Sequence, residues 1–393
     1  MVYPEYYMGF WNYADTGEMD NAWAVNDWKH LGMNLPMSWE YDHTRHDKKV
    51  MLDLLDRCHD AGMRVIICDH RVLWKVLTEH GEREYTKNVH DAVKDFGSHP
   101  AVFGFHVGDE PGKEQMPDAV KAYRIVRECA PHLTPFINLL PYWEDYADAA
   151  QFNTHIAYLD ETVRAGGFQL LCYDYYGQMA TNDADRLMDL YFKNLNLFGT
   201  VARKNGIPLW TTLLSVAHYN SKALDETDIV WQIATAVAHG CTGILWFYIY
   251  FPGLFNGSYR DYPVGNFRCP EEVEYGDVFR YLSRQNRIFM RYFADKLGCY
   301  IFDSVRHFNH SYGFTPLFQE SEFEVDRVEI IVNKEAPLIF SRFLHKETSR
   351  PAYLIVNNDR KRAVKLRLLV KNGEYIQPPD GWLAPGQMAF LEL

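Results

Sequence analysis

Ala101-Val-Phe-Gly-Phe-His-Val-Gly-Asp-Glu-Pro-Gly112 is the stretch from which the fold is read. Its first residues favour a buried strand, the run stops at two carboxylates, and Pro111-Gly112 then breaks the chain. Carboxylates are costly to bury without a partner or a task. A parallel barrel keeps its chemistry at the C-terminal tips of its strands. Asp109 and Glu110 are therefore read as site residues. The plainer alternative is a solvated acidic turn ahead of the helix that begins near Pro117.

Outward from this strand, short apolar runs alternate with amphipathic segments. The runs are Tyr6–Trp11, Met33–Trp39, Arg64–Asp69, Val102–Val107, Thr134–Leu139, Phe168–Tyr173, Pro208–Leu213 and Gly243–Tyr248. The clearest helical patterns are Asp47–Ala61, Asp118–Cys129, Asp183–Lys204 and Glu226–His239, with Gly62, Gly206 and Gly240 at helix exits. Eight strands alternating with helices over about 250 residues predict an α/β chain, a (β/α)8 TIM barrel. The competing fold is an open doubly wound sheet, but no glycine-rich phosphate loop follows the first strand. After a last long helix at Val278–Lys296 the pattern changes to strands: Phe323–Val332, Leu338–Leu344, Ala352–Asn357 and Ala363–Val370. This predicts a catalytic barrel over 1–297 and a small C-terminal antiparallel β domain over 298–393. Phe251–Cys269, rich in Gly, Pro, Tyr and Asn, reads as a long loop after the eighth strand.

Composition narrows the function. A net charge of -12 argues against a phosphate backbone, and no basic patch appears, so no nucleic-acid partner is expected. With 26 Tyr, 24 Phe and 10 Trp, the chain has rings to spare for stacking on sugars. The seven cysteines form no CxxC or zinc-like spacing, and their odd number without a framework suggests a reducing compartment. No apolar run reaches membrane-span length and no signal peptide is visible. A cytoplasmic protein is expected, or a secreted one if a leader has been removed.

The predicted strand ends carry Trp39-Glu40, Asp69-His70, Asp109-Glu110, Asn138, Asp174-Tyr175, His218 and Trp246. Glycoside cleavage needs one carboxylic acid to protonate the leaving oxygen and a second carboxylate on the other side. Glu110 is the candidate acid and Asp174 the second carboxylate, with Glu40 and Asp69 in reserve. Asp109 is expected to orient Glu110's surroundings or bind a sugar hydroxyl. His106, Glu40, Asp69, Asn138 and His218 are candidate substrate contacts, and Trp39, Tyr175, Trp246 and Tyr250 candidate stacking platforms. A water-sized gap of about 6.5–9.5 Å between Glu110 and Asp174, as inversion requires, is the expected arrangement.

The chain resembles the clan of (β/α)8 glycoside hydrolases whose acid/base glutamate ends strand four. The resemblance rests on His99-Pro-Ala-Val-Phe-Gly-Phe-His-Val-Gly-Asp-Glu-Pro111 and is supported by Ala236-Val-Ala-His-Gly-Cys-Thr-Gly-Ile-Leu-Trp-Phe247. It implies a glycosidase acting on a carbohydrate, without cofactor or metal. Two positions depart from the clan. Asp109 stands where an Asn often precedes the acid/base, and Pro208–Tyr219 holds no carboxylate where the clan's nucleophilic Glu ends strand seven. Two other classes stay open. One is a sugar isomerase or epimerase holding a divalent metal with Glu40, Asp69, Glu110, Asp174 and His106. The other is a barrel that binds carbohydrate and has lost its nucleophile.

Overall fold

The computed structural model describes residues 6–143, 149–178, 184–218, 221–250, 259–269 and 271–393. Eight parallel strands form one sheet: β1 (Tyr7–Phe10), β2 (Met37–Tyr41), β3 (Val65–Asp69), β4 (Val102–Asp109), β5 (Phe136–Leu139), β6 (Leu171–Asp174), β7 (Leu209–Leu214) and β8 (Cys241–Phe247). Each strand pairs with the next in sequence from β2 to β8, and β8 pairs with β1. The join between β1 and β2 is made by single bonds rather than a ladder. The Met8 carbonyl accepts from the amides of Asn34 and Leu35, both at 3.0 Å. Helices stand between the strands, so the architecture is a (β/α)8 barrel.

Strand alternation explains how the barrel is filled. One set of side chains, among them Tyr7, Met37, Ile66, Phe103, Phe136, Cys172, Trp210 and Leu245, forms an interior cluster. Their neighbours, such as Met8, Trp39, Ile67, Phe105, Val107, Leu213 and Trp246, belong to the larger cluster that includes the helices. The interior is tight: a Cβ on Gly243 would sit 2.4 Å from the Trp210 ring. Helix ends follow local chemistry. Asp47 caps Lys48–Asp60 by accepting from the Lys49 amide, and Asp225 and Asp228 form a reciprocal cap on Glu226–Ala238.

The last helical stretch runs Asp277–Phe289 and continues through a wider turn at Met290–Ala294 to Leu297. Antiparallel strands follow: β9 (Tyr300–Phe308), β10 (Val325–Val332), β11 (Leu338–His345), β12 (Pro351–Asn357), β13 (Val364–Val370) and β14 (Met388–Glu392). β9, β11, β12 and β14 make one sheet; β10 and β13, with two short segments, make the other. Phe340, Tyr353 and Ile355 from the first sheet meet Val325, Leu366 and Leu368 from the second in a shared core. The opposite face of the first sheet, through Ile339, Phe343 and Leu354, joins the barrel's outer cluster. β9 and β14 were not anticipated. In β9 the alternation is blurred by Asp303, Arg306 and His307, and most of its residues are only half-buried. Of the loop expected at Phe251–Cys269, residues 251–258 lie outside the described residues; Tyr259–Arg260 pairs with Ala217–His218.

Candidate active site

β4 delivers the acids. His106 lies three residues before the strand's end and Asp109 is its last residue. The backbone can turn there because Gly108 has no side chain: a Cβ would lie 2.1 Å from Cδ1 of Trp74. Glu110 follows at φ 42°, its amide donating to the Asn138 carbonyl at 2.9 Å. Parallel register then sets Asp109 beside Asn138 and Asn138 beside Cys172. The buried Asn138 amide group bridges two acids, donating to Asp109 Oδ1 at 3.1 Å and Asp174 Oδ1 at 2.7 Å. The Cys172 thiol donates to Asn138 Oδ1 at 3.6 Å, fixing the amide's orientation.

Glu110 and Asp174 act on each other's protonation: Asp174 lowers the pKa of Glu110, and Glu110 raises that of Asp174. Two carboxyls coupled in this way resist being ionised together, which favours the state in which the pair holds one proton. Asp174 is buried, whereas Glu110 is exposed to solvent. All three acids are pushed toward the protonated form. Burial raises Asp174 well above the usual carboxylate range, and the charges of Glu110 and Asp109 raise it further. Burial also raises Glu110, partly offset by its bond to Asp174. Asp109 rises to about 7 through burial and the Glu110 charge, against the Asn138 bond and the Lys75 ammonium.

Beside the acids opens a cleft of about 150 Å³, lined by Trp11, Asn12, Tyr13, Glu40, His70, Trp74, Lys75, His106 and Asp109 among others. An aromatic wall adjoins it. Tyr176 stacks on Phe247 at 5.5 Å, Tyr13 meets Phe247 edge-on at 6.0 Å, and His218 stacks on Tyr259 at 5.2 Å. Burial, followed by nearby acids, holds the Tyr13 and Tyr176 hydroxyls well above the usual tyrosine range. Among the acids, Asp174 acts most strongly on Tyr176 and Asp109 on Tyr13.

Glu110, Asp174, Asp109 and Asn138 thus form one network, and Glu40 and His106 line the cleft beside it. Glu40 lies 3.6 Å from His70, whose pKa is raised chiefly by that carboxylate. Burial lowers His106 to about 4, so it is neutral at ordinary pH. His218 is half-buried on the aromatic wall.

Other expected contacts need correction. Asp69 is fully buried and its carboxylate is taken by Arg71, which donates Nη2 to Oδ2 at 2.7 Å and Nε to Oδ1 at 3.0 Å. It borders the cleft, but its carboxylate serves an internal ion pair, extended by Arg71 Nη1 to Asp95 at 2.8 Å. Trp39, Trp246 and Tyr250 point outward, where helices cover them. The Trp39 indole donates to Asn21, that of Trp246 to Asn286, and Tyr250 accepts from Trp28. All three are at most 1% exposed, so none offers a face to a sugar. Tyr175, equally buried, lies against Trp143 with ring centroids 5.0 Å apart.

The sequence reading missed Tyr13, Trp74 and Lys75. Trp74 and Lys75 open a short helix just after the Asp69-His70-Arg71 exit, a position that could have flagged them. Tyr13 follows a strand of only four residues, too short to show where its tip lies. The ligand set imagined for a divalent metal loses Asp69 to Arg71. Among the described residues no three His, Cys, Asp or Glu side chains are grouped to hold one.

No protein-family model matches the chain and no curated protein matches it. Solved structures do. Gan42B, a GH42 β-galactosidase from G. stearothermophilus, superposes with a TM-score of 0.54 at 11% identity, over 75% of this chain and 57% of its own. A β-galactosidase from the haloarchaeon Halorubrum lacusprofundi gives 0.54 at 11%, over 72% and 57%. An endo-β-1,4-mannanase from Thermotoga petrophila gives 0.50 at 8%, over 99% and 98%. The chain spans little more than half the length of the two galactosidases. At these identities the likeness is one of fold: the (β/α)8 barrel seen in glycoside hydrolases.

Proposed function

We propose that this protein hydrolyses O-glycosidic bonds, with Glu110 protonating the leaving oxygen and Asp174 as the second carboxylate. The observation that carries the reading is the Glu110–Asp174 pair, holding a proton at the C-terminal mouth of a barrel next to a polar, aromatic cleft. Glu110 is the exposed member, on a turn beyond the strand, so it can swing from Asp174 toward a bound glycoside. Its proton passes to the glycosidic oxygen as the bond to the anomeric carbon breaks. Asp174 is left ionised and faces the positive charge that builds on the sugar. Water then supplies hydroxide to the sugar and a proton to restore the pair.

The separation that the two carboxyls take up around substrate, about 5–5.5 Å for retention or 6.5–9.5 Å for inversion, selects the stereochemical course. Asp109 and Asn138 hold the pair in place, and Glu40, His70 and Lys75 supply contacts for sugar hydroxyls. A second reading, binding without cleavage, draws on the absence of any carboxylate from 208–219, the chain around and beyond β7. A panel of 4-nitrophenyl glycosides decides between them. Released nitrophenol that depends on Glu110 supports cleavage, and sugar binding with no release across the panel favours the second reading.

A further inference from the structure

Asn138 touches all three acids of the barrel mouth. Its backbone carbonyl accepts from the Glu110 amide at 2.9 Å. Its side-chain amide donates to Asp109 Oδ1 at 3.1 Å and to Asp174 Oδ1 at 2.7 Å. The residue is buried, so little water competes for these bonds. Only one orientation of the amide serves the acids, because turned over it would set its oxygen against two carboxyls. The far end of the amide decides the direction. Register places Cys172 of β6 opposite Asn138 of β5, and the Cys172 thiol donates to Asn138 Oδ1 at 3.6 Å. Burial raises this thiol far above its usual range, so it keeps the proton it donates.

Glycoside cleavage by this pair needs the proton on Glu110 and the charge on Asp174. The surroundings favour the reverse. Burial and the charges of Glu110 and Asp109 raise Asp174, whereas Glu110, also raised by burial, is lowered by Asp174. The bond from Asn138 opposes this, because a donor 2.7 Å from Oδ1 favours the ionised carboxylate. We propose that Asn138 is a positioning residue that releases the pair's proton from Asp174 to Glu110, and that Cys172 keeps the Asn138 amide turned toward the acids. In that step one O–H bond breaks at Asp174 and one forms at Glu110. The inference rests on the glycosidase reading. Around the network stand the Lys75 ammonium, which acts on Asp109, the Tyr13 and Tyr176 hydroxyls, the Cys241 thiol, and the Thr212 hydroxyl 4.0 Å from Cys172 Sγ. Burial holds both phenols and both thiols neutral where the acids titrate.

The test follows the Asp174 carboxyl by carbon-13 NMR against pH in aspartate-labelled protein, with Asp174→Asn to assign its signal. The pH profile of kcat/KM on 4-nitrophenyl glycosides is measured beside it. Wild type is compared with Asn138→Leu, which has similar bulk and no donor, and with Cys172→Ala and Cys172→Ser. A hydrogen bond to a charged group shifts a protonation equilibrium by about tenfold to a hundredfold. Asn138→Leu should therefore raise the Asp174 midpoint by about one to two pH units and move the acid limb of the kcat/KM profile up with it. Cys172→Ala, which folds more readily, should shift both in the same direction, while Cys172→Ser, whose hydroxyl can still donate, stays near wild type. An Asp174 midpoint and an acid limb that neither Asn138→Leu nor Cys172→Ala moves overturn the inference and leave glycoside cleavage standing. A loss of kcat/KM that is uniform across pH, with the midpoint in place, also overturns it and leaves Asn138 a structural part. A midpoint that shifts as expected in a protein that cleaves no glycoside overturns the cleavage reading and leaves Asn138 in control of the Asp174 proton.

Discussion

Replacing Asp109 with Asn tests how strongly the barrel mouth desolvates its acids. Asn keeps the size and still accepts the bond from Asn138, now at 3.1 Å, but it cannot ionise. In the folded protein Asp109 titrates at about 7 instead of its ordinary 3.8. Below pH 3.8 the folded and unfolded chains both hold the proton, and the residue has no pH-linked effect. As pH rises, the unfolded chain releases the proton first and folding loses stability, until the loss is complete above about 7. At 1.36 kcal/mol per pH unit the ceiling is about 4 kcal/mol above pH 7 and about 1.6 kcal/mol at pH 5. Asp109 is half-buried, so solvent screening reduces these to about 2 and about 1 kcal/mol. Asp109→Asn should therefore be more stable than wild type, by more at pH 8.5 than at pH 5. Urea unfolding at the two pH values reads this directly. A stability difference that does not grow with pH would refute the desolvated acid cluster.

Two further outcomes follow from the same geometry. Asp174→Asn preserves the acceptor for Asn138 but removes the second carboxylate, so cleavage of good and poor leaving groups alike should fall by at least about 10²-fold in steady-state kinetics, with the fold intact by circular dichroism. Asp69→Asn leaves Arg71 without its buried partner and should cost about 3–5 kcal/mol in urea unfolding, while KM at a temperature where the variant stays folded is unchanged; a selective rise in KM would return Asp69 to the site.

The barrel was legible because each of its strands is a short apolar run ended by a polar tip, and the C-terminal sheets because turn residues separate their strands. Asp109-Glu110 and Asp174 were singled out for the same reason: each closes a mostly apolar run. What the sequence hid is direction. Trp39 and Trp246 stand next to strand tips exactly as Asp174 does, yet a one-residue step along a strand decides between the mouth and the helix layer. Asp69 looked like another tip acid until Arg71, two residues on, folded back upon it. Contacts made across the barrel, such as Asn138 joining two acids, need the register of neighbouring strands, and no local pattern encodes that.

The central claim is that Glu110 gives its proton to a departing glycosidic oxygen. The most direct measurement is the dependence of the cleavage rate on leaving-group pKa, for wild type and for Glu110→Gln, over a series of aryl and alkyl glycosides of one sugar. The account expects wild type to be nearly indifferent to the leaving group. Glu110→Gln should be steeply dependent, losing about 10²–10⁴ in rate on alkyl glycosides and far less on nitrophenyl ones. Parallel lines, with Glu110→Gln slowed equally across the series, would contradict it.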